Sequence, residues 1–454
     1  MTRRLFGLTA ILMLSLSAMA DNSTYDLQEP FGFCTRSSRT DAASTYDITG
    51  GGCYQYPVAG VSADKVITLT STGEDMKNDI TDAIKNYDVI IFDGSKGDFI
   101  VSSTISLTSV KGKTLLGINK ARLCTTWYAT QEIIDALNAA GVPSMSTSSG
   151  TGGTLSNGTK VDEQAEFKTR QIIIDLTGDT SEAYRKSGIF YLKSCQNLII
   201  RNLKFVGPGS IDVGGDDLVS FYGTKNSWVD HCEFTDGMDG NFDITKQSDF
   251  NTVSWCTFSY TDRSYMHQNT NLIGSSDSET VNYLNTTFAF NMWGAKCRAR
   301  MPMARVGKIH MLNNYFNCAG CGSSINPRKN SEFLVEGNYF EKGVTKVYSQ
   351  SGAVAVTWAD NNFITEKVSK PSQLGATVTV PYDYTVADVT VVPTEVGTYA
   401  GATLYEQVDG PTAIQHVLST TASDQGPVYN LSGQRVSSNT RGLVIVNGRV
   451  VLKK

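Results

Sequence analysis

Apolar residues recur along the middle of the chain in one short phrase that is repeated six times. An apolar residue is followed three positions later by Leu, Cys, Thr or Asn, and two positions after that by Phe. The phenylalanines that close successive phrases recur at a nearly even interval. A period of about 20–50 residues is typical of solenoids, and short alternating strands separated by turns predict a parallel β-helix. The six phrases span Ile200–Phe205, Val229–Phe234, Val253–Phe258, Tyr283–Phe288, Met311–Phe316 and Val335–Phe340.

A helical pattern comes before these repeats. Five apolar residues with helical spacing precede the apolar run 89–92, so we expect a helix that covers the open end of the solenoid. Those five residues are Met76, Ile80, Ala83, Ile84 and Tyr87. The regular coils are predicted over 189–356, a second helix over 131–140, a loop over 144–159 and a β-rich return segment over 368–402.

The two ends of the chain carry their own signals. Residues 1–20 combine two arginines, a short apolar stretch and an Ala18-Met19-Ala20 cleavage pattern, which predicts a secretory signal peptide. No later stretch is long enough to span a bilayer, so a secreted or cell-surface protein is expected. The predicted divisions are a β-helix domain over 21–408, a linker over 409–425 and a small C-terminal β tail over 426–454. The tail resembles those of exported Bacteroidetes proteins, where it serves sorting or attachment.

Three charged residues fall at nearly the same phase of nearby coils. Asp217 precedes Phe234, Asp243 precedes Phe258 and Arg300 precedes Phe316, each by almost the same interval. Equivalent positions of successive coils are about 5 Å apart, the spacing of hydrogen-bonded strands. We therefore expect Asp217 and Asp243 on adjacent coils, with Arg300 two coils beyond Asp243.

Charge and cysteine content narrow the function further. A formal net charge of −5 argues against nucleic acid as a partner, and a monomer is expected. Five cations and no acid lie between Lys296 and Lys308, which favours a locally bound anionic ligand over a merely solvated strip. All nine cysteines follow the predicted signal peptide; export permits disulfides such as Cys318–Cys321, whereas Cys232 and Cys256 could equally be stacked free thiols.

Three segments in order carry a family resemblance. Trp228–Phe234, Asp239–Ile244 and Arg300–His310 resemble the pectate lyases of polysaccharide lyase family one, and the similarity covers roughly residues 91–340. The resemblance implies an all-β, right-handed parallel β-helix that cleaves polygalacturonate by β-elimination with Ca²⁺.

The resemblance also implies roles for individual residues. Asp217, Asp239 and Asp243 match the calcium carboxylates of the family, Arg300 matches the arginine assigned as base, and Arg305 matches an arginine that holds a substrate carboxylate. A bound Ca²⁺ ion would neutralise the substrate's carboxylate and acidify the neighbouring C–H bond. A free guanidinium stays protonated near neutrality, so an arginine base needs neighbouring cations that disfavour its charged form.

The match has departures from the family pattern. Asp216 stands beside Asp217 where many members have two acids flanking one residue, so it could substitute as a calcium ligand or point away. Arg263 is the best match to a substrate-binding lysine, although an insertion, Tyr265–Asn271, follows it. Lys296 is a further candidate for contact with the substrate.

Rival functions make different demands on the sequence. A polygalacturonase would need a carboxylate pair as acid and base, but the Gly-His-Gly and Arg-Ile-Lys signatures of that family are absent. A calcium-independent pectin lyase would be expected to lack the acid cluster. A non-catalytic glycan-binding β-helix would have no need of Arg300.

Overall fold

The structure is a computed structural model that describes residues 23–406, 428–430, 435–436, 442–446 and 449–453. The chain divides into two units, Met1–Gln407 and Val408–Lys454. The predicted signal peptide and linker lie outside the described residues, and these two divisions stay predictions.

Three parallel sheets run along the first unit, and each regular coil adds one strand to each sheet. The first sheet comprises β1 (Val66–Thr70), β2 (Val89–Asp93), β5 (Lys111–Ile118), β10 (Gln196–Arg201), β13 (Lys225–Asp230), β16 (Asp249–Ser254), β19 (Thr286–Ala289), β22 (Lys308–Leu312), β25 (Glu332–Glu336), β27 (Ala355–Trp358) and an antiparallel β29 (Gln373–Leu374). The second comprises β3 (Phe99–Val101), β6 (Arg122–Thr125), β11 (Lys204–Val206), β14 (Glu233–Thr235), β17 (Thr257–Ser259), β20 (Met292–Trp293), β23 (Tyr315–Phe316), β26 (Tyr339–Phe340) and β28 (Phe363–Ile364). The third comprises β4 (Ile105–Thr108), β9 (Phe190–Lys193), β12 (Val219–Tyr222), β15 (Phe242–Thr245), β18 (Leu272–Ile273), β21 (Met303–Arg305) and β24 (Asn326–Arg328).

The phenylalanine of the repeat forms a stack inside the second sheet. Phe205 pairs in register with Phe234, which pairs with Phe258. Their ring centroids are 5.1 Å apart and all three side chains are fully buried. The stack follows the spacing of parallel strands, so the apolar repeat forms the core and the predicted parallel β-helix is confirmed.

The fourth repeat was assigned the wrong phenylalanine. Phe258 pairs with Trp293, and Trp293 pairs with Phe316, so Trp293 occupies the stack. Phe288 lies one sheet earlier, in β19, in register with Val253. This coil has long connecting segments on both sides of β18. They shift the residue interval, so a sequence in the first sheet matches the repeated pattern by coincidence.

An asparagine ladder joins the coils where the first sheet turns into the second. The Oδ1 of Asn314 accepts hydrogen bonds from the Asn291 backbone N–H and side-chain amide, at 2.9 and 3.0 Å. Asn338 accepts the equivalent pair from Asn314, so side-chain hydrogen bonds link three successive coils. Cys256 and Cys232 fill the same position in earlier coils, and both are free buried thiols.

Helices lie at the end and on the side of the solenoid. The predicted capping helix is α1 (Lys77–Asn86), which buries Ile80 and Ile84 against the core. The others are α2 (Gln131–Ala139), α3 (Gln164–Thr177) and α4 (Val392–Tyr399), with short 3₁₀ turns at Gly32–Thr35, Ala63–Lys65, Gly94–Lys96, Met145–Thr147 and Ala183–Arg185.

Two segments differ from the sequence-based expectation. The loop predicted over 144–159 contains β7 (Thr151–Thr154), which forms a hairpin with β8 (Lys160–Glu163) ahead of α3. The return segment over 368–402 holds little strand, and α4 packs its Val392 and Val396 in one cluster with Trp255. The Gly-rich composition of the first segment and the Thr/Val-rich composition of the second did not predict their secondary structure, because packing against the solenoid determines it.

The second unit contains an antiparallel sheet of β30 (Val428–Tyr429), β31 (Arg435–Val436), β32 (Gly442–Val446) and β33 (Arg449–Lys453). Across the described parts of both units, no helix is both long and apolar enough to cross a membrane.

Candidate functional site

Two carboxylates lie on adjacent coils at the third sheet. Asp217 precedes β12, and Asp243 lies within β15, directly in register with Ser220. Ser220 Oγ donates to Asp217 Oδ2 at 2.9 Å, and the Leu272 backbone N–H donates to Asp243 Oδ1 at 2.9 Å. Asp243 is only 5% exposed, so both acids are fixed by local hydrogen bonds.

The two carboxylates face one point beside Gly240. A methyl group built on Gly240 would lie 2.6 Å from Asp217 Oδ1 and 3.2 Å from Asp243 Oδ1. The two oxygens therefore border the same small space. Asp217 Oδ1 is buried and has no hydrogen-bond partner among the described residues. Any side chain at position 240 would fill the space that these oxygens share.

Burial makes both charges costly. Desolvation, then the charges of Asp243 and Asp239, raise the pKa of Asp217 well above its usual range. Desolvation raises the pKa of Asp243 to about 7, although the Arg300 cation and the Leu272 N–H oppose the rise. Two like charges in a low-dielectric site disfavour each other's ionised form, and the charge of Arg300 offsets this effect only in part.

Asp239 is half-exposed and points to a histidine. His267 Nε2 lies 3.0 Å from Asp239 Oδ1, outside the direction of a regular hydrogen bond, and His267 Nδ1 lies 3.3 Å from Asp212 Oδ1. Burial disfavours the imidazolium, but the two carboxylates outweigh it and raise the pKa of His267 to about 9. The two carboxylates therefore favour the charged form of His267, which lies against Asp239.

Asp216 is exposed and bonds to the preceding coil. Its Oδ2 accepts a hydrogen bond from Thr104 Oγ1 at 2.7 Å, and its backbone N–H donates to Ser187 Oγ at 2.7 Å. In this structure the Asp216 carboxylate faces Thr104, and its role as a calcium ligand stays a prediction.

Arg300 lies two coils beyond Asp243, in the turn before β21. Its backbone has a left-handed φ of +61°, which is uncommon for a residue with a side chain. Its carbonyl accepts hydrogen bonds from Thr270 Oγ1 and, at 2.7 Å, from the Asn271 N–H. Across the described residues its guanidinium has no hydrogen bond or ion pair, although its charge influences both Asp217 and Asp243.

A row of arginines continues from Arg300 along the third sheet. Arg305 pairs in register with Arg328 on the next coil. Arg305 Nε donates to Asp277 Oδ1 at 2.9 Å, and its Nη1 donates to the Gly274 carbonyl at 2.8 Å. Burial, followed by the charges of Arg305 and Arg300, lowers the pKa of Arg328. The three cations are therefore close enough to repel one another.

The remaining two predicted residues lie at the edge of this face. Arg263 is exposed, with its guanidinium 4.8 Å from the centre of the Tyr128 ring. Lys296 is exposed and forms an ion pair with Asp262. Neither contacts the paired acids.

The family model described as pectate lyase matches residues 130–404, which is more than half of the chain. The chain belongs to this family. Pectate trisaccharide-lyase of Bacillus licheniformis is 33% identical over 217 residues, which are 45% of this chain and 60% of that relative. Pectate lyase A of Aspergillus niger is 33% identical over 223 residues, 47% of this chain and 64% of that one. The chain thus spans less than two thirds of the length of these relatives.

The chain is also similar to solved structures of pectate lyases. A variant of the Bacillus subtilis pectate lyase superposes with a TM-score of 0.49 at 16% identity, over 83% of this chain and 100% of that one.

The donor set of this family member fits a hard cation only in part. Within the described residues, no three carboxylate, thiol or imidazole groups converge on one point. Asp217 and Asp243 do converge, with one oxygen partnerless and a glycine leaving the space open. Carboxylate oxygens are the ligands that Ca²⁺ prefers, and Asp239 stands next to Gly240 in the chain. Two of the three predicted calcium carboxylates therefore converge in this structure, and the third, Asp239, lies against His267.

Sequence reasoning missed two residues of this site. Arg328 precedes Phe340 by nearly the same interval as Arg305 precedes Phe316, so extending the phase argument by one coil would have found it. His267 lies in the inserted segment 265–271, where no phase relation exists, so only the folded chain reveals its contact with Asp239.

Proposed function

We propose that this protein is an exported, calcium-dependent pectate lyase that cleaves α-1,4-linked polygalacturonate by β-elimination. Membership of the family supports the reaction class. The observation that carries the proposal is the order of charges along the third sheet: one partly buried and one buried acid around an open space, followed by a row of arginines. A polyuronate offers a carboxylate on every sugar, so one chain can engage both halves of such a site.

The reaction needs a base close to the sugar's C5. Removal of the C5 proton leaves electrons that form a C4–C5 double bond while the C4–O bond breaks, and the leaving sugar's oxygen gains a proton. The products are an unsaturated uronate and a new reducing end. We assign the base to Arg300, whose guanidinium has no ion-pair partner within the described residues and whose backbone is pinned by Asn271.

The cations beyond Arg300 would orient the substrate. Arg305 is anchored by Asp277 and the Gly274 carbonyl, which fixes its guanidinium plane, and Arg328 lies beside it in register. Planar guanidinium groups bind carboxylates through two parallel hydrogen bonds. Arg305 and Arg328 would thus hold carboxylates of successive sugars, and their mutual repulsion would fall on binding.

Asp217 and Asp243 would hold calcium, with Asp239 as a third ligand once it turns from His267. When bound, the ion would neutralise the uronate carboxylate next to the reacting carbon and so acidify its C–H bond. Without a cation, burial and like charge disfavour the ionised acids, which supports a resident ion.

The decisive experiment measures the ultraviolet absorbance of unsaturated uronate with polygalacturonate, in calcium and in EDTA, for the wild type and Arg300→Lys. We expect an absorbance increase that EDTA abolishes and calcium restores. Arg300→Lys should lose most of the activity, since it keeps the charge but not the planar fork.

Other outcomes would replace the proposal. An EDTA-insensitive increase would indicate a pectin-lyase mode, and new reducing ends without absorbance would indicate hydrolysis. Normal turnover by Arg300→Lys would remove Arg300 from the base role. Binding of the polymer without either product would indicate a glycan-binding protein.

A further inference from the structure

A groove separate from the paired acids lies beside the arginine row. It has a volume of about 550 Å³, within the range of small-ligand sites. Its lining includes Ile134 and Asn138 of α2 together with Lys296 and Arg298. Asp217, Asp243 and Arg300 do not line it.

One buried side chain in this groove lacks a partner. Gln268 is 6% exposed, and its Nε2 donates to the Ser264 carbonyl at 3.2 Å. Its Oε1 is buried and has no hydrogen-bond donor among the described residues. A buried acceptor without a donor costs free energy, which a hydroxyl group of a ligand would recover.

The charges of the groove favour an anion. Lys296 is neutralised by its ion pair with Asp262. Arg298 is exposed, and its guanidinium has no hydrogen bond or ion pair within the described part of the chain, which leaves one uncompensated cation. An acceptor for a hydroxyl and a free guanidinium together suit a sugar ring that carries one carboxylate.

The groove is lined by the segments that lead into β18 and β21, and Arg300 lies on the second of these segments. The Arg298 backbone N–H donates to the Gln268 carbonyl at 2.9 Å, so the two lining residues lie on hydrogen-bonded segments of neighbouring coils. Gln268 follows His267, the contact of Asp239, and Arg298 is two positions before Arg300. A polymer bound at the active site can therefore extend into the groove.

We propose that this groove is a remote subsite that binds one uronate residue of the polymer away from the cleaved bond. Arg298 binds its carboxylate, Gln268 accepts from a ring hydroxyl, and α2 contributes to the lining. The ligand class rests on the proposed function. Longer oligogalacturonates consequently bind more tightly than those that fill only the active site.

The test uses full-length protein carrying Arg300→Lys to prevent turnover, with calcium present. Calorimetric titration compares trigalacturonate and hexagalacturonate binding to this background and to the same background with Arg298→Gln, Gln268→Met or Lys85→Gln. Lys85 is an exposed cation on α1, so its variant matches the charge change away from the groove.

We expect Arg298→Gln and Gln268→Met each to weaken hexagalacturonate binding about five- to tenfold, the loss expected for a hydrogen bond to a charged or buried group. Trigalacturonate binding should change less than hexagalacturonate binding, and Lys85→Gln should change neither. Gln268→Met removes an acceptor that has no partner, together with the one hydrogen bond that the side-chain amide donates. The Tm of this variant should therefore stay near that of the background, which separates a binding defect from a folding defect.

Two outcomes would overturn the remote subsite: hexagalacturonate affinity unchanged in both groove variants, or equal losses for the short and long ligands. The proposed function is tested separately, by measuring the unsaturated product that the protein with the native Arg300 makes. Product formation with insensitive binding would refute only the subsite. Sensitive binding without product would refute only the lyase reaction.

Discussion

Asp243→Asn should stabilise the protein in EDTA at alkaline pH. Folding raises the pKa of Asp243 from 3.8 to about 7, so between these values the folded state holds more protons than the unfolded state. Stability due to this group therefore falls as pH rises through that window, and the full cost is present above pH 7. A rise of about three pKa units corresponds to about 4 kcal/mol.

Asparagine keeps the shape of the side chain and an oxygen for the Leu272 N–H, but it cannot ionise. The free energy of unfolding, measured by urea denaturation in EDTA, should therefore exceed the wild-type value by up to about 4 kcal/mol above the folded pKa. The difference should vanish in acid. Burial also raises the pKa of Asp249, to about 6, so this residue likewise lowers stability as the pH rises. Because Asp249 is present in both the wild type and the variant, its contribution cancels in the comparison.

Calcium should change the comparison. A ligand that binds only the folded state adds about 2.7 kcal/mol at a hundredfold excess over its Kd, and the variant should lose most of this gain. The control is Asp82→Asn, at an exposed position of α1, which should change stability by less than about 0.5 kcal/mol. The reasoning would be refuted if Asp243→Asn in EDTA at alkaline pH were no more stable than the wild type.

The remaining predictions concern the open space, the arginine row and the ladder. Gly240→Ala places a methyl group 2.6 Å from Asp217 Oδ1, so calcium affinity, read from calcium-dependent Tm, should fall at least about tenfold; Gly397→Ala, where nothing lies within 4 Å, should leave it unchanged. Arg328→Lys should raise KM for polygalacturonate about fivefold with a smaller change in kcat, because it removes bidentate ground-state binding, and an unaltered KM would exclude Arg328 from the substrate. Asn314→Ala should lower the free energy of unfolding by about 3 kcal/mol, since it removes the side-chain partner of two buried backbone groups, the Asn291 N–H and the Phe288 carbonyl, and of two buried amides. A loss below about 1 kcal/mol in urea denaturation would contradict the ladder's role.

The fold could be predicted from the sequence because each coil must place an apolar residue at the same phase. Phe205, Phe234 and Phe258 follow this rule, and their register is the one that the spacing predicts. The rule failed at Phe288 because phase counting assumes coils of similar length. A long coil shifts the phase, and only strand pairing shows that Trp293 continues the stack.

The candidate site could be predicted only to the level of the backbone. Phase placed Asp217 and Asp243 on adjacent coils, but it could not decide which neighbouring acid turned inward. Asp216 finds a donor in Thr104, far earlier in the chain. The contact between Asp239 and His267 likewise depends on the path of an insertion, for which the repeat gives no information.

The two halves of the site have opposite charge, yet they do not neutralise each other. Arg300 opposes the raised pKa of Asp243, but the pKa remains at about 7. On the other side, burial and then the charges of Arg305 and Arg300 lower the pKa of Arg328, so the cations still repel one another. If stability alone determined this face, direct contact between Asp243 and Arg300 would reduce the repulsion among the acids and the repulsion among the arginines. Their separation by two coils leaves room for a ligand that brings negative charge to the arginines and a cation to the acids, which are the two components that a polyuronate and calcium would supply together.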